Sequence, residues 1–440
     1  MPQIFPNFVL HGHVDGIKDE ARMKFSFASW LITLCVWLGM SAPVQAVEVT
    51  ITCGPGGSDV EFCLKHAQAW AAQTGNTVRN FSPPGGFGEK IALYRQLFAA
   101  KSSDVDVLIV DGTWPGILKD HLTDLKPYSK GWENHHFPAM VANNTVNGRL
   151  LAMPWFTDSG LLYYRKDLLA QYGEAVPTTW AELTRMAQKI QTAERNKGRQ
   201  DFHGFVFQGK AYEALTCFTL ELVGGHGGGT IMDADGTITI NNPQAAKALD
   251  LAASWIGTIS PIGVLNYEEE EARGVFQNAN ALFMRNWPYA WALMEKDDSP
   301  VKGKVGIAKL PGQPSTAALG GWQLAVSKYS QHPAEAADLV MYMTSAKVQK
   351  ARAIGNSLNP TLPELYKDKD VIAVNAFMAN LSDVFANSVA RPATLTGLKY
   401  PQVSQSVFSA AHEVLSKRAT GEEAVKRLEQ RLKKIRRKHW

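Results

Sequence analysis

Strands and helices alternate along the chain after residue 46, and this order is the feature that most restricts its fold. Residues 47–52 and 77–81 are predicted strands, and residues 104–110 are a third strand, apolar throughout residues 107–110. Residues 61–74 and 89–101 are predicted helices between them, the first ended by a glycine. A strand-helix-strand order places strands in parallel with helices on both faces, so we expect an α/β fold.

Three charged residues follow the predicted strands of this segment. Glu61 comes after the first strand, Lys90 after the second, and Asp111 ends the third. Ligands of open α/β sheets bind beyond the carboxyl ends of the strands, so these residues are candidate ligand contacts. Glu61 also suits the first turn of a helix, which is its structural alternative. The glycine-rich residues 54–57 lack the lysine and hydroxyl residue of a phosphate loop, so we do not predict nucleotide binding.

Residues 281–291 combine a buried strand with a cluster of aromatic residues. Residues 281–284 are apolar, and Pro288 then ends the strand pattern. Trp287, Tyr289 and Trp291 follow within five residues. Large rings with polar edges suit a sugar, whose C–H faces stack while its hydroxyls hydrogen-bond. Packing in the core of one domain is the alternative for the same residues.

Residues 24–46 predict an export signal. Lys24 precedes an apolar run at residues 27–40, and residues 44–46 form a small-residue cleavage site, so the start codon could be Met23. We therefore treat residues 1–46 as an extension and signal peptide, removed near Ala46 in a protein of the periplasm. The remaining residues 47–440 are long enough for two domains.

The cysteines and the charge distribution bear on disulfide pairing, metal binding and nucleic-acid binding. Cys53 and Cys63 flank a glycine-rich turn and are predicted to form a disulfide in an oxidising compartment, whereas Cys217 lies on an apolar helix face as a buried thiol. No spacing of histidine and cysteine indicates a metal, and we expect no cofactor. Residues 426–438 hold eight basic residues and one acid, but without interleaved aromatics they predict a solvated helix face and no nucleic-acid partner.

Residues 154–168, with the sequence PWFTDSGLLYYRKDL, resemble a known family. The chain is similar to the extracellular solute-binding proteins of ABC sugar importers, and most to their trehalose/maltose-binding branch. The resemblance extends over residues 104–111, 180–191, 285–291, 298–306 and 320–330. It implies a two-lobed periplasmic-binding-protein fold of type II, with a sugar cleft between the lobes and a hinge of several crossings. We expect one lobe at residues 47–157 and 305–357, and the other at residues 158–304 and 358–440.

The resemblance also implies a function and a set of contacts. The protein would capture a disaccharide or short oligosaccharide of the trehalose, maltose or sucrose type, act as a monomer, and deliver the sugar to the transmembrane subunits of a permease without catalysis. The positions that match sugar contacts of the family are Glu61, Lys90, Asp111, Phe156, Asp158, Trp287, Tyr289, Gly321, Trp322 and Arg391. Lys90 stands where the family often has arginine, and Phe156 where some members have tyrosine. Both departures bear on which sugar binds.

Two other functions use similar residues. A secreted glycoside hydrolase acting on α-glucosides would also need aromatic residues and a pair of carboxylates, for which Glu61, Asp111 and Asp158 are candidates. Nothing in the sequence singles out one carboxylic acid of raised pKa beside an ionised partner. A chemoreceptor adaptor that binds sugar and signals is the third possibility, as an added role.

Overall fold

The computed structural model describes residues 46–53, 58–84, 86–380, 384 and 388–440. The expected signal peptide lies outside the described residues, apart from Ala46. Residues 47–440 form one compact unit. Within the described residues, no helix has the length and apolar character that crossing a membrane requires.

Strands from the first part of the chain form a five-stranded sheet together with one later strand. Its strand order is β2-β1-β3-β11-β6, formed by Thr77–Asn80, Glu48–Ile51, Val107–Asp111, Leu319–Val326 and Met153–Ser159. Strands β1, β2 and β3 are parallel, which confirms the arrangement predicted from the strand-helix alternation. Strand β11 runs antiparallel to both β3 and β6. A strand from residues 319–326 thus completes a sheet that begins near residue 48.

A four-stranded sheet lies at the centre of the second half. Its order is β10-β7-β9-β8, formed by Val305–Lys309, Leu161–Arg165, Ala281–Asn286 and His203–Val206. The expected change of lobe at residue 305 is wrong for β10, because all five of its residues pair with β7. The chain passes from one sheet to the other at Gly160 and returns between Lys309 and Leu319. The other bounds of the expected lobes stay a prediction.

Helices cover both sheets, and a small hairpin, Thr145–Val146 (β4) with Arg149–Leu150 (β5), stands apart from them. The longer helices are Ser58–Thr74, Phe87–Ala99, Trp180–Asn196, Glu213–Gly225, Pro243–Trp255, Glu269–Gln277, Pro333–Met343, Ala346–Asn356, Tyr400–Leu415 and Gly421–Arg436. The shorter α-helices are Trp114–Ile117, Lys126–Ser129, Pro138–Asn144, Lys166–Gln171, Ala290–Met294, Lys369–Val374 and Ala393–Thr396. Single 3₁₀ turns occupy Trp132–His135, Ile262–Asn266, Pro363–Lys367, Ala376–Asn380 and Gly397–Lys399.

Local sequence signals determine several of these boundaries. The Thr179 hydroxyl accepts a hydrogen bond from the backbone N–H of Glu182, and the Glu182 carboxylate accepts one from the backbone N–H of Thr179, so a capping box starts helix Trp180–Asn196. Thr420 and Glu423 make the same arrangement at Gly421–Arg436. Cys53 and Cys63 form the expected disulfide, with Cα atoms 5.6 Å apart, and tie the end of β1 to helix Ser58–Thr74.

Candidate functional site

A cavity of about 720 Å³ brings together residues of the five-stranded sheet and residues that follow β9 of the four-stranded sheet. Eight of the ten predicted sugar contacts line it, and they come from β3, β6, β11, the residues after β9, and the C-terminal part of the chain. These eight are Asp111, Phe156, Asp158, Trp287, Tyr289, Gly321, Trp322 and Arg391. Residues separated by up to 280 positions in the sequence therefore share one cleft.

The register of β11 creates one wall of the cavity. Trp322 lies opposite Asp111 on β3 and opposite Phe156 on β6, so these three residues form a row across adjacent strands. Residues in one such row present their side chains on the same face of a sheet. A carboxylate and two aromatic rings are thereby placed side by side. Asp158 is almost completely buried and lies two residues further along β6.

Gly321 is required by the close approach of β11 to β6. Its φ of +108° is a conformation that side-chain-bearing residues rarely adopt. A Cβ atom on Gly321 would also lie 2.4 Å from the backbone oxygen of Phe156. Any larger residue would therefore push the two strands apart, which explains why glycine precedes Trp322.

Trp287 is held in place from three directions. Its indole Nε1 donates a hydrogen bond to Glu269 over 3.1 Å, and the guanidinium carbon of Arg285 lies 3.9 Å from its ring centroid. The hydroxyl of Tyr163 donates to the backbone oxygen of Trp287 over 2.8 Å. A Cβ on Gly320 would lie 3.2 Å from the ring, so the missing side chain makes room for it. An aromatic side chain fixed in this way loses little conformational freedom when a ligand binds.

Arg285 belongs to an ion pair that is completely buried. Its guanidinium donates two parallel hydrogen bonds to Glu221, of 2.8 and 2.6 Å, and a third of 3.1 Å to Gln208. Both charged side chains have no exposed surface. This fork-to-carboxylate geometry fixes the guanidinium next to the Trp287 ring.

The start of helix Glu269–Gln277 supplies a polar wall that sequence reasoning missed. Glu270 accepts a 2.6 Å hydrogen bond from the hydroxyl of Tyr289, and Glu269 accepts one of 2.7 Å from Tyr212. Burial, and then the charge of Glu270, raise the pKa of Tyr289 well above its usual value, and burial and Glu269 do the same for Tyr212. Both phenols therefore keep their protons at neutral pH and remain donors.

Arg391 is buried at the floor of the cavity between two carboxylates. Its Nη1 donates to Glu213 Oε1 over 2.7 Å, and its Nη2 lies 3.2 Å from Asp111 Oδ1. Asp111 Oδ1 also accepts from the backbone N–H and the hydroxyl of Thr113, at 2.8 and 2.6 Å. The guanidinium is therefore tied to both neighbouring carboxylates.

Two predicted contacts do not line the cavity. Glu61 is exposed in the first turns of helix Ser58–Thr74. Lys90 is buried, and its Nζ lies 4.8 Å from the ring centroid of Trp322, so its direct neighbour at the cleft is an aromatic ring. The contact of either residue with a sugar stays a prediction.

Several lining residues were not predicted as site residues, and some carried a signal. Glu213 lines the cavity, and with Glu221, which does not, it makes up the charged residues of the buried helix Glu213–Gly225; buried charges need partners. Cys217, predicted as a buried thiol, lies between them and lines the cavity; burial raises its pKa to about 12. The other unpredicted lining residues include Phe87, Tyr212, the carboxylates of residues 268–271, Arg273, Lys296 and Asn356.

Comparisons with known proteins agree over nearly the whole chain after residue 46. The sequence profile of the bacterial extracellular solute-binding proteins matches residues 64–350. A probable ABC transporter-binding protein of Deinococcus radiodurans is 51% identical over 415 residues, which cover 93% of this chain and 99% of the relative.

Solved structures give the same result for the fold. Maltose-bound T. maritima MalE3 is 40% identical and superposes with a TM-score of 0.83, covering 89% of this chain and 100% of its own. The GacH receptor of Streptomyces glaucescens, at 21% identity and a TM-score of 0.79, covers 90% of this chain and 100% of its own, and shows likeness of fold alone. The expected two-lobed α/β fold is confirmed.

Proposed function

Since this chain belongs to the bacterial extracellular solute-binding proteins, we propose that it captures an α-glucoside disaccharide of the trehalose, maltose or sucrose type and delivers it to its membrane permease. As a member of the family it is the extracellular, sugar-binding component of an ABC transporter. These proteins bind substrates and are not enzymes, so the glycoside hydrolase considered from the sequence is not retained.

The observation that carries the proposal is the composition of the cavity. Trp287, Tyr289, Phe156 and Trp322 line a space of about 720 Å³ together with several carboxylates and Arg391. This volume lies within the usual range for small-ligand pockets, roughly 300–1,000 Å³. The aromatic rings suit the C–H faces of glucose units, and the carboxylates accept hydrogen bonds from paired hydroxyls. The 40% identical maltose-bound structure supports a ligand of this class.

Two buried donors in the cavity wall suit hydroxyl oxygens of a sugar. Arg391 Nε and Asn356 Nδ2 have no hydrogen-bond acceptor among the described residues. Leaving a buried donor without an acceptor costs about 1–3 kcal/mol. A sugar oxygen that reached either group when the lobes close would remove this cost, which favours a ligand with hydroxyl or ring oxygens over an apolar one.

The charge of the cavity favours a neutral sugar. Among its described lining residues are seven carboxylates, at residues 111, 158, 213 and 268–271, and three cations, Arg273, Lys296 and Arg391. The cations are engaged in part: Arg273 pairs with Glu270, and Arg391 with Asp111 and Glu213. A sugar phosphate would therefore meet an excess of negative charge, and like charges brought together in a partly buried site repel.

A thermal-shift panel tests the proposal. We expect maltose, trehalose or sucrose to raise the unfolding midpoint, because a ligand at 100 times its Kd stabilises the folded state by about 2.7 kcal/mol. Trehalose 6-phosphate is the charged control for trehalose, and mannitol is the open-chain control. Stabilisation by mannitol or by the phosphate, with none by the three disaccharides, would contradict the proposed substrate class.

Replacing Trp287 with alanine tests the stacking surface. We expect sugar affinity to fall by about 1–3 kcal/mol, by analogy with aromatic side chains that stack on nucleic-acid bases. Trp291→Ala is the matched control, because Trp291 packs against Phe377 with the rings tilted and their centroids 5.3 Å apart, and is not among the residues lining the cavity. Calorimetric titration with the sugar chosen from the panel measures both variants. Equal affinity in Trp287→Ala and wild type would show that Trp287 packs in the core and does not stack on the sugar.

A further inference from the structure

Glu213 is connected, through its helix and through Arg391, to the two different sheets. It is the first residue of helix Glu213–Gly225, whose Leu215 and Phe218 share a core with Phe205 of the four-stranded sheet. Through Arg391 it is connected to Asp111, the last residue of β3 in the five-stranded sheet. One guanidinium thus joins a carboxylate of the five-stranded sheet to a carboxylate on a helix that packs with the four-stranded sheet.

The remaining bonds of Glu213 come from the C-terminal part of the chain. The hydroxyl of Tyr400 donates to Oε1 of Glu213, and the hydroxyl of Ser404 donates to Oε2 over 2.6 Å. The ring of Tyr400 packs in the core beside Leu108 and Val110 of the five-stranded sheet. Glu213 therefore receives hydrogen bonds from three side chains of one segment, residues 391–404.

Burying the charges of Arg391 and Glu213 costs desolvation free energy. Arg391 and Glu213 are more than nine-tenths buried, and burial raises the pKa of Glu213 above its usual value against the opposing charge of Arg391. Buried ion pairs contribute little net stability, because desolvation offsets their attraction. Their geometry is nevertheless strict, and here it leaves the Nε of Arg391 as a buried donor without an acceptor among the described residues.

We propose that Glu213 is a positioning residue of the sugar site, which holds the Arg391 guanidinium against Asp111 in the wall of the cavity where the sugar binds. This inference rests on the proposed function. The two terminal nitrogens of Arg391 are each engaged by a protein carboxylate, so removing the Glu213 charge releases one end of the guanidinium. Glu213 acts on the sugar through Arg391.

Binding measurements on matched variants separate positioning from a general structural role. Glu213→Gln removes the charge that holds Arg391, and we expect sugar affinity to fall roughly tenfold or more. Ser404→Ala removes another bond of Glu213 but leaves its pair with Arg391, so affinity should stay within about twofold while the unfolding midpoint falls. Glu364→Gln, at an exposed position, is the surface control.

A signal from Arg391 itself completes the test. In protein labelled with ¹⁵N-arginine, the Arg391 Nε–H resonance is assigned by its loss in Arg391→Lys, and its hydrogen exchange with water is then measured. We expect slow exchange in wild type and in Ser404→Ala, and fast exchange in Glu213→Gln. If Glu213→Gln does not fold, Glu213→Asp is used with the same criteria, because its shorter carboxylate cannot hold Arg391 and both hydroxyls together.

The outcomes are distinct. Wild-type affinity in Glu213→Gln, slow exchange of Arg391 in that variant, or an equal loss of affinity in Ser404→Ala would each overturn the positioning role. A wild-type protein that binds none of the panel disaccharides would overturn the proposed function, whatever the exchange of Arg391 shows.

Discussion

Replacing Arg285 with methionine is expected to lower the free energy of unfolding by about 3–5 kcal/mol, because it leaves Glu221 as an uncompensated charge in the core. Neither side chain of this pair has any exposed surface, and Glu221 also accepts a 3.2 Å hydrogen bond from the backbone N–H of Ala318. The variant also removes the guanidinium beside the Trp287 ring. Sugar affinity should therefore fall together with stability.

Chemical denaturation measures this effect. Arg185→Met is the matched control, because Arg185 pairs with Glu174 at the surface with 56% of its side chain exposed. Exposed pairs contribute roughly 0–1 kcal/mol, so its unfolding free energy should change little. The double variant Arg285→Met with Glu221→Met removes both buried charges and should recover part of the lost stability. A single variant as stable as wild type would show that the pair is dispensable.

Replacing Arg391 with alanine is expected to weaken sugar binding by about 2–5 kcal/mol, the usual cost of truncating one partner of a buried, hydrogen-bonded charge pair. Arg391 bonds Asp111 at the end of β3 and Glu213 at the start of helix Glu213–Gly225, so its loss removes a connection between two parts of the cavity wall. A ligand shifts an open–closed equilibrium only as far as its contacts differ between the two states. We therefore expect Arg391→Ala to lose sugar-induced compaction as well as affinity.

X-ray scattering with and without saturating sugar measures the compaction. Asp158→Asn is the comparison within the cleft, since it should lower affinity but still compact at saturation. Arg418→Ala, at an exposed position, is the control outside the cleft. Arg391→Lys keeps the positive charge and serves if the alanine variant does not fold. Compaction of Arg391→Ala equal to wild type at saturation would show that closure does not depend on this residue.

The sequence by itself determined features that depend on neighbouring residues. The capping boxes at Thr179 and Thr420 and the parallel order of β1, β2 and β3 follow from short-range patterns. The disulfide between Cys53 and Cys63 closes a separation of ten residues. The family resemblance was read from continuous motifs in the same way, and eight of the residues it indicated line one cavity.

Only the tertiary structure decided which distant residues meet. An apolar strand has the same pattern in either sheet, so the pairing of β10 with β7 could not be predicted from residues 305–309. Arg391 and Glu213 are 178 positions apart, and Arg391 and Asp111 are 280 apart. A charged residue in an apolar helix indicates that a partner exists, but the partner is identified only when folding brings both side chains out of water together. The contacts that hold Arg391 in the cleft therefore belong to the fold as a whole.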